Sequence, residues 1–139
     1  MFEVIVKLLL KIFGIKQQAI VNISEHELSV IDINSGKVEV RARVSKDLES
    51  IIGNFNEVEK ELKPLMATVF PKLWFYNEVI VCLIARNQKG YTDNELQTAR
   101  DLAFAVGAHI VYVSEFPVSN NQAARVFKGE NIEHELINA

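Results

Sequence analysis

The apolar and polar positions of residues 77–117 follow two patterns that together predict a strand, a helix and a second strand. Residues 79–84 are a continuous apolar run rich in β-branched side chains, which is typical of a strand buried on both faces. Apolar side chains then recur at the spacing of one helical face, at Leu96, Ala99, Leu102, Ala103 and Val106. A second apolar run, residues 110–113, follows Gly107. This spacing predicts a βαβ unit with parallel strands.

Polar residues mark where two helices begin. Thr92 and Glu95 form a capping-box pattern, in which a hydroxyl and a carboxylate satisfy the free N–H groups of the first turn. Asn56 and Glu59 form a second capping-box pattern, which predicts the start of another helix. Pro64 lies inside that second helix and predicts a bend, because proline removes a backbone hydrogen bond. The apolar stripe of the second helix consists of Val58, Leu62, Leu65, Met66 and Val69.

Three short strands precede this second helix in the sequence. They are predicted at residues 19–23, 27–33 and 37–44. Asn34-Ser35-Gly36 is a turn sequence between the last two strands, and Gly36 can adopt positive φ. Regular alternation of polar and apolar residues at 37–44 predicts a strand with one solvent-facing side.

These elements predict an α/β fold with a mixed five-stranded sheet, in the order β-β-β-α-β-α-β-α after an N-terminal amphipathic helix. This is the order of ribonuclease H-like proteins, and actin-like ATPases use it in each half. We predict the amphipathic helix at residues 1–16 and a single domain at residues 17–128, ending in a weaker helix at 118–127. Residues 129–139 are predicted to be a polar tail.

The N-terminal segment carries few charges, and they are regularly spaced. Glu3, Lys7 and Lys11 follow one another at four-residue intervals, so a helix would carry them as one narrow stripe. The rest of that predicted interaction surface is apolar and consists of Phe2, Val4, Ile5, Leu8, Leu9, Ile12 and Phe13. The segment is shorter than the about 20 residues that a spanning helix needs. Two interpretations stay open: packing against this domain or another chain, and an interfacial membrane helix with Lys7 and Lys11 near lipid headgroups.

Composition excludes several classes of function. A net charge of −3 offers no basic face for DNA or RNA, so we expect no nucleic-acid partner.

The single cysteine, Cys82, lies in an apolar strand and is expected in the core. One cysteine allows no disulfide within the chain, which fits a reducing compartment. No secretory signal is visible. We therefore expect a cytoplasmic protein, with peripheral contact to the inner membrane as an option. No histidine, such as His26, has partners at metal-ligand spacing, so no metal site is predicted.

Residues 46–127 resemble the first half of MreB-type bacterial actins. Residues 52–55 (IGNF) are similar to the family's I-A-D-F, residues 79–83 (VIVCL) to V-L-V-C-V, and residues 112–117 (YVSEFP) to F-L-I-E-E-P. The spacing of the family's E-x-x-x-x-R-E-x-A-x-x-x-G-A helix recurs at Glu95, Arg100, Asp101, Ala103, Gly107 and Ala108. The resemblance implies an actin-like half-domain, with a role in cell shape and at the membrane.

Departures from the family pattern fall on the ATP site. The family's phosphate loop D-L-G-T-A-N-T corresponds here to a hairpin with Asn22, Ser24 and Glu25, which has neither the acid nor the glycine. Phe116 replaces the second acid of E-E-P, although Glu115 remains. The sequence also stops where the family's second half begins. We therefore expect a degenerate half-domain with no catalytic residue, no bound cofactor and no ATP hydrolysis.

Three classes of function remain at this stage. The first is a non-catalytic interaction or scaffold module, joined to a protein partner or a second copy through residues 1–15. The second is a ribonuclease H-like nuclease, which needs two or three carboxylates for its metals, whereas the strands supply Asp32 alone. The third is a small-molecule or nucleotide binder without turnover, in which Arg86, Asn87, Lys89 and Gly90 would hold an anion beside residues 114–117.

Overall fold

A computed structural model describes residues 2–5, 16–43, 52–70, 76–84 and 91–137. Within these ranges the chain forms five strands and four helices, and residues 2–5 are helical as well. The strands are β1 (Lys16–Ser24), β2 (Glu27–Asp32), β3 (Val38–Ala42), β4 (Tyr76–Ile84) and β5 (Ile110–Ser114). The helices are α1 (Phe55–Val69), α2 (Asp93–Ala105), α3 (Asn120–Phe127) and α4 (Glu133–Ile137).

The strands form one mixed sheet in the order β3-β2-β1-β4-β5. β1 is antiparallel to β2, and β2 is antiparallel to β3. β4 lies parallel to β1, and β5 lies parallel to β4 with α2 as the crossover helix. The predicted mixed five-stranded sheet and its parallel βαβ unit are confirmed. The arrangement is consistent with a ribonuclease H-like half-domain.

Helices cover the two faces of the sheet unequally. The major face carries Val21 and Val81 and packs against α1 and α2, which forms the larger apolar core. The minor face carries Ile20 and Cys82 and packs against α3 through Phe127. Because successive side chains of a strand point to opposite faces, the central strands β1 and β4 are buried on both sides.

The apolar stripe predicted for α1 is confirmed, since all five of its residues are buried. The predicted helix start is wrong. Asn54, and not Asn56, caps α1 by accepting a hydrogen bond from the Glu57 N–H at 3.2 Å. Phe55 is the first helical residue and packs against the major-face core, which moves the start of the helix upstream. α1 continues through Pro64 to Val69.

The valines of β3 lie outside the core, although its alternating sequence predicts one buried face. Val38 and Val40 are 50% and 55% exposed, whereas Arg43, which directly follows the strand, is only 6% exposed. β3 pairs with β2 with Val40 opposite Ser29, so both valines lie on the minor face. α1 contacts β2 and β3 from the major face. The helix therefore covers the polar side of this strand, opposite to the expectation from alternation alone.

Hydrogen bonds confirm the predicted start of α2. The Thr92 hydroxyl accepts from the Glu95 N–H at 3.2 Å, and the Glu95 carboxylate accepts from the Thr92 N–H at 3.1 Å. α3 begins with an equivalent pair, Ser119 and Gln122, which the sequence analysis did not identify. Both helices therefore begin where short side chains satisfy the free N–H groups of the first turn.

Residues 129–137, which were predicted to lie in a polar tail, pack against α3. Ile132 is 5% exposed. The Arg125 guanidinium at the end of α3 donates to the Glu135 carboxylate at 2.7 Å and contacts Glu130 at 3.4 Å. The described part of this segment therefore belongs to the minor-face layer.

Candidate functional site

The β1–β2 hairpin, where the resemblance places a phosphate loop, is closed by its own side chains. The Asn22 amide donates to the Ser29 hydroxyl across the strand pair at 3.1 Å. The Ser24 hydroxyl accepts from the Glu27 N–H and donates to the Glu27 carbonyl, both at 3.0 Å. The polar groups of Asn22 and Ser24 therefore stabilise the hairpin and its turn.

Arg43 ties this hairpin to the residues that precede α1. Its guanidinium donates to the Ser24 carbonyl at 2.9 Å and to the Ile52 carbonyl at 2.7 Å. Burial lowers the pKa of Arg43, and the negative charges of Glu61 and Glu57 oppose that shift. The alternating sequence placed Arg43 on a solvent-facing side, so the sequence reasoning missed this contact. The only feature of the sequence that could have indicated this contact is a positively charged residue near the end of a predicted strand.

The geometry of the hairpin does not suit a phosphate group. Phosphate-binding loops present free N–H groups and usually need glycine at positive φ. The glycines at positive φ in the described ranges are all elsewhere, at Gly36, Gly53, Gly107 and Gly129. The turn carries Glu25 instead, and the Ser24 hydroxyl is already used. The polar side chains of Asn22 and Ser24 are therefore engaged in hydrogen bonds within the hairpin.

The two carboxylates considered for catalysis, Asp32 and Glu115, have structural partners. Asp32 accepts from the Asn34 N–H at 3.0 Å and from the Ser35 hydroxyl at 2.9 Å, within the β2–β3 turn. Glu115 accepts from the Tyr91 N–H at 3.1 Å, which ties the end of β5 to the start of α2. Among the residues that the structure describes, no three His, Cys, Asp or Glu side chains are grouped so as to hold a metal ion.

Other candidate residues also have structural roles or lie outside the described ranges. His109 accepts from the Asn77 N–H at 3.0 Å and stacks on Tyr76 with ring centroids 5.4 Å apart. His26 is exposed in the hairpin turn. Arg86, Asn87, Lys89 and Gly90, the anion-binding candidates, lie outside the described residues.

Cys82 is fully buried on the minor face, and burial raises the pKa of its thiol to about 12. A hydrogen bond with the backbone of Val118 offsets this shift only in part. The thiolate is the reactive form of cysteine. Cys82 is therefore a core residue and not a nucleophile.

The shifted pKa of Cys82 predicts a stability that falls at alkaline pH. The unfolded thiol ionises near pH 8.5, whereas the folded protein retains the proton until about pH 12. Between these values the folded state binds more protons, so the free energy of unfolding decreases as pH rises. We expect wild type to lose about 1.4 kcal/mol per pH unit more than Cys82→Ala in this window. Urea denaturation of both proteins at several pH values measures this, and equal slopes would contradict it.

The described part of the N-terminal segment is apolar and exposed. Residues 2–5 are helical, and Phe2, Val4 and Ile5 are 71%, 66% and 50% exposed. The other predicted interaction residues, Lys7, Leu8, Leu9, Lys11, Ile12 and Phe13, lie outside the described ranges. In the described part of the chain, no helix has the length and apolar character to span a membrane.

Comparison with known proteins identifies no family. No protein-family model matches the chain, and no curated protein sequence is similar to it. One solved structure with a similar fold is that of ethanolamine utilization protein EutJ from Carboxydothermus hydrogenoformans. The similarity covers 83% of this chain and 41% of that chain, with 12% sequence identity and a TM-score of 0.47. This chain thus corresponds to less than half of that protein, and similarity at this level says nothing about activity.

Proposed function

We propose that this chain is a non-catalytic assembly module, built on an actin-like half-domain, which joins a second copy of itself through its N-terminal segment. The observation that carries the proposal is the exposure of Phe2, Val4 and Ile5, three large apolar side chains within four helical residues. Monomeric proteins rarely leave extended apolar patches in water. The sequence that follows, residues 6–13, is also largely apolar.

The absence of catalysis is supported by how the hairpin uses its polar groups. Asn22 and Ser24 hydrogen-bond within the hairpin, and Arg43 donates to its backbone. Asp32 and Glu115 stabilise turns and element ends. A chain that resembles MreB-type actins, but with these residues at the ATP-site positions, is better suited to assembly than to phosphoryl transfer.

A second copy is a better occupant for the N-terminal surface than a lipid bilayer. The protein carries a net charge of −3, so an anionic membrane would repel the domain as a whole. Two identical apolar segments can bury each other across a two-fold axis without any other component. Burial of apolar area supplies the favourable free energy in such an interface.

Sedimentation velocity tests the assembly. We expect the wild-type chain to be a dimer and the double variant Phe2→Glu with Ile5→Glu to be a monomer. Val38→Glu is the matched control, because Val38 is 50% exposed, like Ile5, but lies on β3. It should leave the dimer intact. A monomeric wild type would overturn the proposal, and so would co-sedimentation with anionic liposomes that the double variant abolishes. A saturable rise in melting temperature with Mg-ATP would count against a nucleotide-free module.

A further inference from the structure

Among the described strands, β5 has no neighbour along its outer edge. β5 is the last strand in the sheet order, and in the described part of the chain its ladder hydrogen bonds run to β4 alone. An edge strand presents alternate N–H and C=O groups away from the sheet, ready to pair with another extended chain. All five residues of β5 are half-buried, so both faces of this edge are flanked by other side chains.

A groove of about 540 Å³ follows this edge on both faces of the sheet. On the major face it is bounded by Leu96 and Arg100 of α2. On the minor face it is bounded by Val126 of α3, by Ile132 and by Leu136 of α4. A chain paired with β5 would send alternate side chains into these two halves, because the side-chain period of a strand is two.

The charges of the groove differ between its two halves. Arg100 is exposed and supplies a positive charge on the major-face side, where Glu115 also lines the groove with a carboxylate that accepts from the Tyr91 N–H. Glu130 and Glu133 line the minor-face side, where Glu130 also contacts Arg125. A complementary ligand therefore has an acidic side chain on one face of its strand and a basic side chain on the other.

A second copy of this chain does not meet that requirement. If β5 paired antiparallel with β5 of another copy, the two-fold axis would be perpendicular to the sheet. The major face of one copy would then continue as the major face of the other copy, and the minor face as the minor face. Glu130 and Glu133 of both copies would then lie on one side, and like charges brought together destabilise a strand pair.

We propose that this groove binds an extended segment of a partner protein as an additional strand beside β5. The segment has mainly apolar side chains, with an acidic residue facing Arg100 and a basic residue facing Glu130 and Glu133. The backbone of β5 provides the affinity, and the two charged halves set the register and the preferred partner. This surface is separate from residues 2–5, so the groove can be tested independently of the assembly through the N-terminal segment.

A labelled five-residue peptide matched to the length of β5 tests the groove, with the full chain as receptor. The peptide Ile-Glu-Val-Val-Lys places its acid and its base on opposite faces, and this holds for either strand direction. The control peptide, Ile-Glu-Val-Lys-Val, has the same composition but places its acid and its base on one face. We expect the matched peptide to bind several-fold more tightly, and hydrogen exchange to show new protection at the amides of residues 110–114.

A groove variant completes the test. Arg100→Glu should reverse or abolish the preference for the matched peptide while the exposed position leaves the fold intact. The proposal would be overturned if neither peptide binds with a Kd below about 1 mM, or if both bind equally to wild type and to Arg100→Glu. Concentration-dependent protection of β5 amides without peptide would also overturn it, because that result would show pairing between copies of the chain.

Discussion

Replacement of Arg43 by methionine is expected to lower the free energy of unfolding by about 3 to 5 kcal/mol. The guanidinium donates to two backbone carbonyls, those of Ser24 and Ile52, and the side chain is 6% exposed. Methionine preserves much of the apolar stem but supplies no donor. Each carbonyl that is left buried without a donor costs about 1 to 3 kcal/mol.

A half-buried carboxylate near Arg43 increases this effect. The Oε2 atom of Glu61 is buried and accepts no hydrogen bond from the described residues, and the negative charge of Glu61 acts on Arg43. Removal of the cation leaves this charge in a poorly solvated site with less compensation, which destabilises the fold. The Arg43→Met variant therefore loses at least two hydrogen bonds and a nearby positive charge in a single change.

Arg41→Met is the matched control for this experiment. Arg41 lies on β3, two residues before Arg43 and on the same face, but it is exposed. Its replacement should change the free energy of unfolding by less than about 0.5 kcal/mol. Urea denaturation monitored by circular dichroism measures both variants. If the two substitutions have equal effects, Arg43 does not hold the hairpin as the distances indicate.

Replacement of Pro64 by alanine is expected to raise the free energy of unfolding by about 2 kcal/mol. Pro64 lies inside α1, which continues to Val69, and its side chain is exposed. Proline in a helix interior costs about 3 kcal/mol, because it lacks an N–H and its ring crowds the carbonyl of the preceding turn. Alanine restores that hydrogen bond, here to the Lys60 carbonyl, and removes no buried contact. Loss of proline also makes the unfolded chain more flexible, which offsets about 1 kcal/mol of the gain.

Pro117→Ala separates these two contributions. Pro117 is an exposed loop residue that follows β5, outside any helix. Its replacement changes the flexibility of the unfolded chain without restoring a helical hydrogen bond, so stability should fall by up to about 1 kcal/mol. Thermal unfolding of the two variants beside wild type should give shifts of opposite sign. A loss of stability in Pro64→Ala would mean that the ring makes a contact that the exposed position does not reveal.

Local patterns in the sequence were sufficient for the elements and their ends where the determining residues are neighbours. The apolar stripe of α1 and the Thr92–Glu95 capping box depend on spacings of three and four residues. These spacings are visible in the sequence and are the ones that the structure uses. The apolar run that became β4 is buried on nearly all sides, as its composition predicted. These features follow from the geometry of a single helix or strand, so no tertiary information was needed.

Only the tertiary structure decided which surfaces are covered and where the polar groups are used. The alternation in β3 predicts that the two faces of the strand differ in polarity. α1 packs against the polar face, which leaves Val38 and Val40 on the apolar face half-exposed. Arg43 meets the Ser24 carbonyl from 19 residues away, a contact that no periodic pattern contains. The same holds for the groove at β5, whose charged halves come from α2 and from the residues after α3. The sequence by itself therefore determined the five strands, helices α1 to α3 and the apolar N-terminal segment, whereas α4 was predicted as part of a polar tail. Contacts between distant residues determined the closed hairpin and the open sheet edge, because they depend on how the layers pack.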